Sequence, residues 1–323
     1  MSSLFSGINA RIRGTSSKTR LKERPPATNN RPSQSHDDPS STNPALGVSL
    51  PHSPSLSESR GTMRQAFENP QPLPLWLNPA HVKQIVKGNL MTLSVRPKTI
   101  EPGEWVAHQV VEQYRNLWNF VRIVHEKELD GNGICNPTTC PKMSAGDHSY
   151  TWLDEDQKPA ELTARESMTL SQRWIAGKID NDAVFPTDPL GASFANHPEY
   201  SNSIGLPHYS EDWLGIQSGF PKQFRVTCQL IFRQIFRIYA HLYWNHFLEP
   251  FYHLNLERHL NSCFSSFILT ATTLDMLRPD ELEPMQDLIN LWAADGTFPA
   301  QSRAFKCAKL ERGKYLLSLS APS

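Results

Sequence analysis

The chain has 323 residues, with 32 Lys+Arg against 32 Asp+Glu and a formal net charge of zero, which argues against a protein whose main business is nucleic acid, because such chains show a strong basic excess. Its five cysteines are too few and too scattered for a disulfide scaffold, no apolar run approaches the ~20 residues of a membrane span, and the start, Met-Ser-Ser-Leu-Phe-Ser-Gly, has no signal-peptide core and no glycine at position 2 for myristoylation. The expectation is a soluble, cytoplasmic protein in a reducing compartment, built as one large domain or two small ones.

The 26 prolines exceed the ordinary ~5 %, and residues 1–60 hold seven of them with fourteen serines and Phe5 as the only aromatic. Eight Lys/Arg against four Asp/Glu give this segment +4, so residues 61–323 carry 0 − 4 = −4. A segment this polar cannot bury enough apolar surface to offset its ordering entropy, so residues 1–65 are expected to be a disordered tail. The plain reading is a solubilising tail. The sharper one is a regulated tail, with Ser53-Pro54 suited to a proline-directed kinase.

Order is expected from about Leu73-Pro74-Leu75-Trp76-Leu77, with a short helical stretch over Pro79–Lys87 stopped by Gly88-Asn89. Glu101-Pro102-Gly103-Glu104 opens a long helix to about His125, whose Val106, Val110, Tyr114, Leu117, Val121 and Val124 recur at helical spacing. Trp118, Phe120 and Ile123 widen that stripe, which predicts a central, largely buried helix. Gly131, Gly133, Pro137 and Pro141 break the pattern over 129–162, and His148–Leu153 reads as a short strand or hairpin arm. Thr163-Ala164-Arg165-Glu166 spells a capping box before a helix carrying Met168, Trp174, Ile175 and Ile179. Residues 186–220 show no period and are read as a surface insertion. A second long helix is predicted from Pro221 to Phe247, with Phe224, Ile231, Ile235, Ile238 and Leu242 on one side and Lys222, Arg225, Arg233 and Arg237 on the other. Helices over about Leu254–Leu274 and Asp280–Trp292 follow, and 294–323 is a mixed extension with helical potential around Ala304–Leu317. The fold class is all-α, a helical bundle with one or two short strands and long loops.

Three constellations could carry chemistry. In Cys135-Asn136-Pro137-Thr138-Thr139-Cys140 two thiols with four intervening residues can reach one tetrahedral ion, or be two unrelated reduced cysteines. In His241-Leu242-Tyr243-Trp244-Asn245-His246 five helical steps turn the chain by about 500°, leaving the rings about 140° apart. Both can ligate one metal only if the helix end loosens or His246 lies past it; otherwise they are two satisfied histidines. Together the pairs make a Cys₂His₂ set, a closed shell of the structural rather than the catalytic kind. The stripe Lys222, Arg225, Arg233, Arg237 can grip phosphate oxygens or be a solvated helix face. No His-Glu-x-x-His, phosphate loop or Gly-x-Ser-x-Gly elbow occurs. Cys228, Cys263 and Cys307 are read as ordinary buried or semi-buried thiols.

These residues add up to a resemblance. Glu104-Trp105-Val106-Ala107, Cys135-(four)-Cys140-Pro141-x-Met143-Ser144-Ala145-Gly146, Tyr150-x-Trp152, Phe185-Pro186 and Phe236-Arg237-Ile238-Tyr239-Ala240-His241-(four)-His246-Phe247 closely resemble the Mob/phocein family. His259-Leu260-Asn261 and Glu281-Leu282-Glu283-Pro284 continue the match, which covers roughly residues 73–293, within a domain taken as 66–293 followed by the 294–323 extension. The resemblance implies a single helical domain on a four-helix core that is not an enzyme. It places a structural Zn²⁺ on Cys135, Cys140, His241 and His246. It places phosphopeptide binding on Arg233 and Arg237, with Gln234 standing where a basic residue is usual; losing one charged contact of ~1.5–3 kcal/mol weakens that expectation. It places part of a kinase-facing acidic surface on Glu101 and Glu104, with Ile100 where a further acid is common.

Implied partners are NDR/LATS-type kinases and Ste20-like kinases or, in the phocein branch, a striatin-type scaffold with a type-2A phosphatase. The segment from Trp105 to Phe120 and the extensions look more like the phocein-type Mob proteins of filamentous fungi. The leading expectation is therefore an adaptor in a striatin-type kinase–phosphatase assembly controlling polarity, septation or development. Its location would be the cytoplasm, with the nucleus and the cell cortex or septum as further sites. The alternative is a co-activator of an NDR/LATS-type kinase in mitotic exit or Hippo-like signalling. A zinc hydrolase, which needs an open metal position and a carboxylate base, and a nucleic-acid-binding zinc module, which needs a steeply salt-dependent affinity, are remote.

Overall fold

A computed structural model describes residues 73–86, 90–126, 133–153, 158–187, 214–215 and 218–319. The tail expected over 1–65 and most of the insertion expected over 186–220 lie outside the described residues. Among the described residues the helices are α1 (Met91–Ser94), α2 (Pro102–His125), α3 (Ala164–Ile179), α4 (Phe224–His246), α5 (Glu257–Thr273), α6 (Gln286–Ala294), α7 (Arg303–Lys306) and α8 (Leu310–Ser318). Two antiparallel hairpins of two-residue strands complete it: β1 (Ser144–Ala145) with β2 (His148–Ser149), and β3 (Trp152–Leu153) with β4 (Pro159–Ala160). The strand or hairpin arm predicted over His148–Leu153 is two hairpin arms, because the chain changes partner at Tyr150, whose N–H turns to the Met143 carbonyl at 2.8 Å.

The core is α2 to α5. Helix α2 starts where Glu101 accepts the Glu104 N–H at 3.0 Å and Pro102 fills a first-turn position that needs no donor. Its apolar stripe is buried along the whole length, with Val110, Leu117, Val121 and Val124 fully inaccessible. Helix α3 starts on the predicted capping box, Thr163 and Glu166 each bonding the other's backbone N–H. Helices α4 and α5 meet through aromatic rings: Phe232 stacks on Phe267 at 5.4 Å, and Tyr239 and Tyr243 each lie 5.0 Å from Phe264.

The helix predicted over Pro79–Lys87 is absent from its described part, 79–86, which runs as a turn, an irregular stretch and a bend. The reason is competition for its backbone. The buried Asn261 amide donates to the His81 and Lys83 carbonyls at 2.8 and 3.0 Å, Trp292 Nε1 donates to the Val82 carbonyl at 2.9 Å, and the Ile85 N–H reaches Ser262 Oγ at 2.9 Å. With these groups committed to α5 and α6, an i→i−4 ladder would be broken in the middle of the segment. Asn261 is satisfied in full, because its carbonyl oxygen also accepts from Tyr243 Oη at 2.8 Å.

The helix predicted over Asp280–Trp292 is split. Residues Pro279–Met285 form a 3₁₀ turn and α6 begins only at Gln286, since Pro284 can give no N–H to a helical ladder. The segment beyond residue 293 is docked rather than loose: Arg312 pairs with Asp287 at 2.9 Å, and Asn290 Oδ1 accepts the Lys309 N–H at 2.7 Å. Gly313 lies flush on α6, and a Cβ there would overlap the Asn290 carbonyl. Gly313→Ala is expected to cost about 1–3 kcal/mol by forcing α8 away from α6, read as a fall in urea midpoint at unchanged slope.

Candidate functional site

The loop after α2 is shaped by its own polar side chains. Asn136 Oδ1 accepts the Thr138 and Thr139 N–H groups at 2.8 and 3.0 Å, its amide donates to the Gly133 carbonyl at 2.9 Å, and Thr139 Oγ1 donates to the Ile134 carbonyl at 2.8 Å. This side-chain-closed turn curls Cys135 and Cys140 toward each other. The loop is pinned at both ends: the Cys135 N–H bonds the Val124 carbonyl of α2 at 2.8 Å, and the Cys140 carbonyl accepts the Ala164 N–H of α3 at 3.2 Å. Arg165 adds a clamp, donating to the carbonyls of His125 at 3.2 Å and Cys135 at 3.4 Å.

Opposite lies the end of α4. Cys135 Sγ is 3.8 Å from His241 Nε2, Cys140 Sγ is 3.5 Å from His246 Nε2, and the four donor atoms all lie within 4.8 Å of one another. All four side chains are buried. A tetrahedral ion with metal–sulfur bonds of about 2.3 Å and metal–nitrogen bonds of about 2.0–2.1 Å sets sulfur–nitrogen edges of roughly 3.5 Å, so this donor set fits a metal ion. Among the described residues this is the cluster of three or more such side chains placed to do so.

The ring separation that argues against His241 and His246 sharing an ion is removed by the backbone. His246 leaves helical geometry, with φ −131° and ψ 4°, and the chain continues as a wide turn over Phe247–Tyr252. Pro250 accounts for this. It cannot donate to the His246 carbonyl, and it drives Glu249 into an extended conformation at φ −126°, ψ 114°. The loosened end brings the two rings to 5.2 Å.

Hydrogen bonds fix the donors. His241 Nδ1 lies 2.8 Å from the Ser144 carbonyl on β1; that oxygen can only accept, so Nδ1 carries the proton and the Nε2 lone pair faces the sulfurs. The Asn245 amide donates to the same carbonyl at 3.2 Å. Asn245→Ala is expected to weaken metal retention about tenfold in a chelator competition. Without an ion, the hydrogen bond between the thiols splits them: Cys140 is pulled far below the ordinary thiol range and Cys135 is pushed far above it. Burial, with the Arg165 charge second, lowers His125 beside the cluster to about 4. A bound dication would hold both sulfurs as thiolates.

The remaining predicted site residues are placed as follows. Arg233 and Arg237 stand one turn apart on α4, but they are not on an open face. Arg233 is ion-paired with Glu281 from the 3₁₀ turn, and Arg237 lies over the Tyr150 ring at 5.0 Å. The helical wheel does not show that Tyr150, just after β2, and the 279–285 turn cover the Arg233 and Arg237 part of that side of α4, while Arg225 near the helix start stays exposed. Glu101 caps α2, and Glu104 accepts from Ser218 Oγ at 3.0 Å. The 214–220 segment comes this close because Gly103 and Gly215 touch; Gly215 has φ +84°. Sequence reasoning missed Arg165, Asn245 and Glu281. Pro250 was a readable signal for the bent helix end; nothing in the sequence marks Arg165 as the clamp on the Cys135 loop.

A sequence profile described as the Mob1/phocein family matches residues 82–203 and 211–285. The chain belongs to the Mob1/phocein family. It is 32 % identical over 235 residues to the "Maintenance of ploidy protein mob2" of Schizosaccharomyces pombe, covering 72 % of this chain and 82 % of that protein. It is 33 % identical over 213 residues to the "CBK1 kinase activator protein MOB2" of Saccharomyces cerevisiae, covering 66 % of this chain and 62 % of that one. The "MOB kinase activator-like 1A" of Arabidopsis thaliana is 30 % identical over 205 residues, 62 % of this chain and 79 % of the plant protein. As a Mob family member this chain is not an enzyme. No helix among its described residues is long and apolar enough to cross a membrane.

Proposed function

We propose that this Mob protein is a non-catalytic adaptor that binds and activates a kinase of the NDR/LATS type, with Zn²⁺ held structurally by Cys135, Cys140, His241 and His246. The observation that carries this reading is the similarity to MOB2 proteins, one of them named as a kinase activator, along 213 residues, within a family match over 82–203 and 211–285 that spans the metal cluster. The closed Cys₂His₂ donor set supports zinc in a structural role, since two sulfurs and two nitrogens leave no position for substrate water. The ion would tie the loop after α2 to the end of α4 and so hold the relative pitch of the core helices.

Glu101 and Glu104, at the start of α2, would contribute to the kinase-facing surface. Arg233 and Arg237 would read a phosphorylated or acidic peptide, including one from a Ste20-like kinase, by exchanging the Glu281 carboxylate for the ligand's oxygens, since neither side chain lies on an open face. Arg233 already pairs with a carboxylate, that of Glu281, which is the chemistry such a ligand would offer. The domain that would do this spans 66–293 with the C-terminal helices docked on it, and it would work in the cytoplasm.

Affinity purification of the tagged chain from its own cells, followed by mass spectrometry, tests the reading. An NDR-type kinase whose activity rises on adding the purified chain is the expected result. The second reading is the phocein-type one, favoured by the segment from Trp105 to Phe120; striatin-like scaffold and type-2A phosphatase subunits, without such a kinase, would establish it and overturn the first.

A further inference from the structure

Arg225, in the first turn of α4, belongs to the basic stripe yet has no part in the surface just proposed. It lines a cleft of about 310 Å³ together with Arg96, from the segment before α2, and Arg303, from α7. We propose that this cleft is a second anion site, one that binds the phosphoryl group of a phosphoserine or phosphothreonine in a partner peptide. It is independent of the Arg233/Arg237 reading: Arg225 precedes Arg233 by eight residues and Arg237 by twelve, about 12 and 18 Å along a helix, too far to share one phosphate.

Three arginines from separate parts of the chain line this concave surface, and Asp275 is the single carboxylate among its lining residues. Three positive charges and one negative leave +2, the complement of a phosphate monoester dianion. Two of the three, Arg96 and Arg303, meet no carboxylate among the described residues, and the third meets one at the surface. Arg96 donates to the carbonyls of Pro97 and Ile100, neutral acceptors that fix its position and leave its charge. Arg225 does meet Asp275, at 2.6 Å, but both side chains are about half exposed, and such a surface pair opens at little cost. Asp275 is itself anchored by its left-handed backbone, φ 59°, and by the Gln229 amide on its carbonyl at 3.1 Å, so its carboxylate stays at the cleft when the pair opens.

Like charges gathered around a hollow repel until an anion enters, and planar guanidinium forks match phosphoryl oxygens. Val106 and Leu274 supply an apolar wall beside them. That wall suits the residue flanking a phosphorylated side chain, which favours a peptide over a free ion.

The test uses the full-length chain with its metal and the acetylated peptide Ala-Leu-phosphoSer-Leu-Ala, its glutamate counterpart and inorganic phosphate as probes. Arginine Nε–H resonances are followed by NMR and affinities by calorimetry. The phosphopeptide is expected to shift the Arg96, Arg225 and Arg303 signals. Arg303→Gln and Arg96→Gln should each weaken this binding about ten- to a hundredfold at unchanged melting temperature, whereas Arg237→Gln should leave the three shifts in place. Shifts confined to Arg233 and Arg237, or undiminished affinity in Arg303→Gln, would overturn the proposal while leaving the kinase-activator reading intact. Equal affinity for the glutamate peptide would overturn the phosphoryl assignment, and equal affinity for inorganic phosphate would overturn the peptide assignment.

Discussion

Cys140→Ser should lose its metal and melt roughly 10 °C lower than the parent chain. The four donors are buried and converge within 4.8 Å, so removing one leaves three desolvated polar side chains without the ion that satisfies them. Zinc supplies about 10–16 kcal/mol of apparent binding energy in small peptides that fold only with metal. Here α2 to α5 form a real core, so only part of that appears as stability. A loss of about 4 kcal/mol corresponds to roughly 8–16 °C for a domain of this size. Because the loop is tied to Val124 of α2 and Ala164 of α3, the loss should reach both helices, not just the loop. Metal content by mass spectrometry and melting by calorimetry decide the matter together. Cys307→Ser is the control, since Cys307 is only half-buried and outside the cluster, and it should keep both metal and melting temperature. A Cys140→Ser chain that retains one zinc and an unchanged transition would remove Cys140 from the ligand set.

Phe264→Ala is expected to be comparably damaging for a different reason. Its ring is fully buried on α5 and lies 5.0–6.2 Å from Phe236, Tyr239, Tyr243, Phe267 and Trp292, which come from α4, α5 and α6. Truncation removes the transfer free energy of the ring and leaves a cavity that rings held from three helices cannot collapse to fill. The cost should be about 3–5 kcal/mol. Urea unfolding should show a lower midpoint with an unchanged slope. A loss below about 1 kcal/mol would mean that the aromatic cluster is not the packed centre of the domain.

Much of this architecture is readable from local signals. The bounds of α2 follow from Glu101-Pro102 at one end and a continuous apolar stripe to His125 at the other. The start of α3 follows from Thr163 and Glu166, because a capping box is satisfied within four residues and needs no tertiary help. The failures share one cause. The segment 79–86 has helical composition, yet its carbonyls and amides are claimed by Asn261, Ser262 and Trp292, roughly 180–210 residues away in sequence. No local pattern reports a bond made at that separation. The stripe of α4 fails in the same way, since a wheel ranks faces by polarity and cannot show that Tyr150 and Glu281 close over Arg237 and Arg233.

For the metal centre the division is sharper. The sequence by itself determined which side chains could bind: two thiols with four residues between them in a Pro-containing loop, and two imidazoles at the end of a long helix. Ligand chemistry is a property of residue type, and spacing within a turn is local. Whether the two imidazoles could meet one ion was decided only in the tertiary structure. There the bend before Pro250 swings His246 off the helix, the Ser144 carbonyl on a distant hairpin fixes the tautomer of His241, and Arg165 holds the loop of Cys135 against α2. Each of these depends on atoms brought together by packing, and convergence of that kind has no signature in a linear pattern.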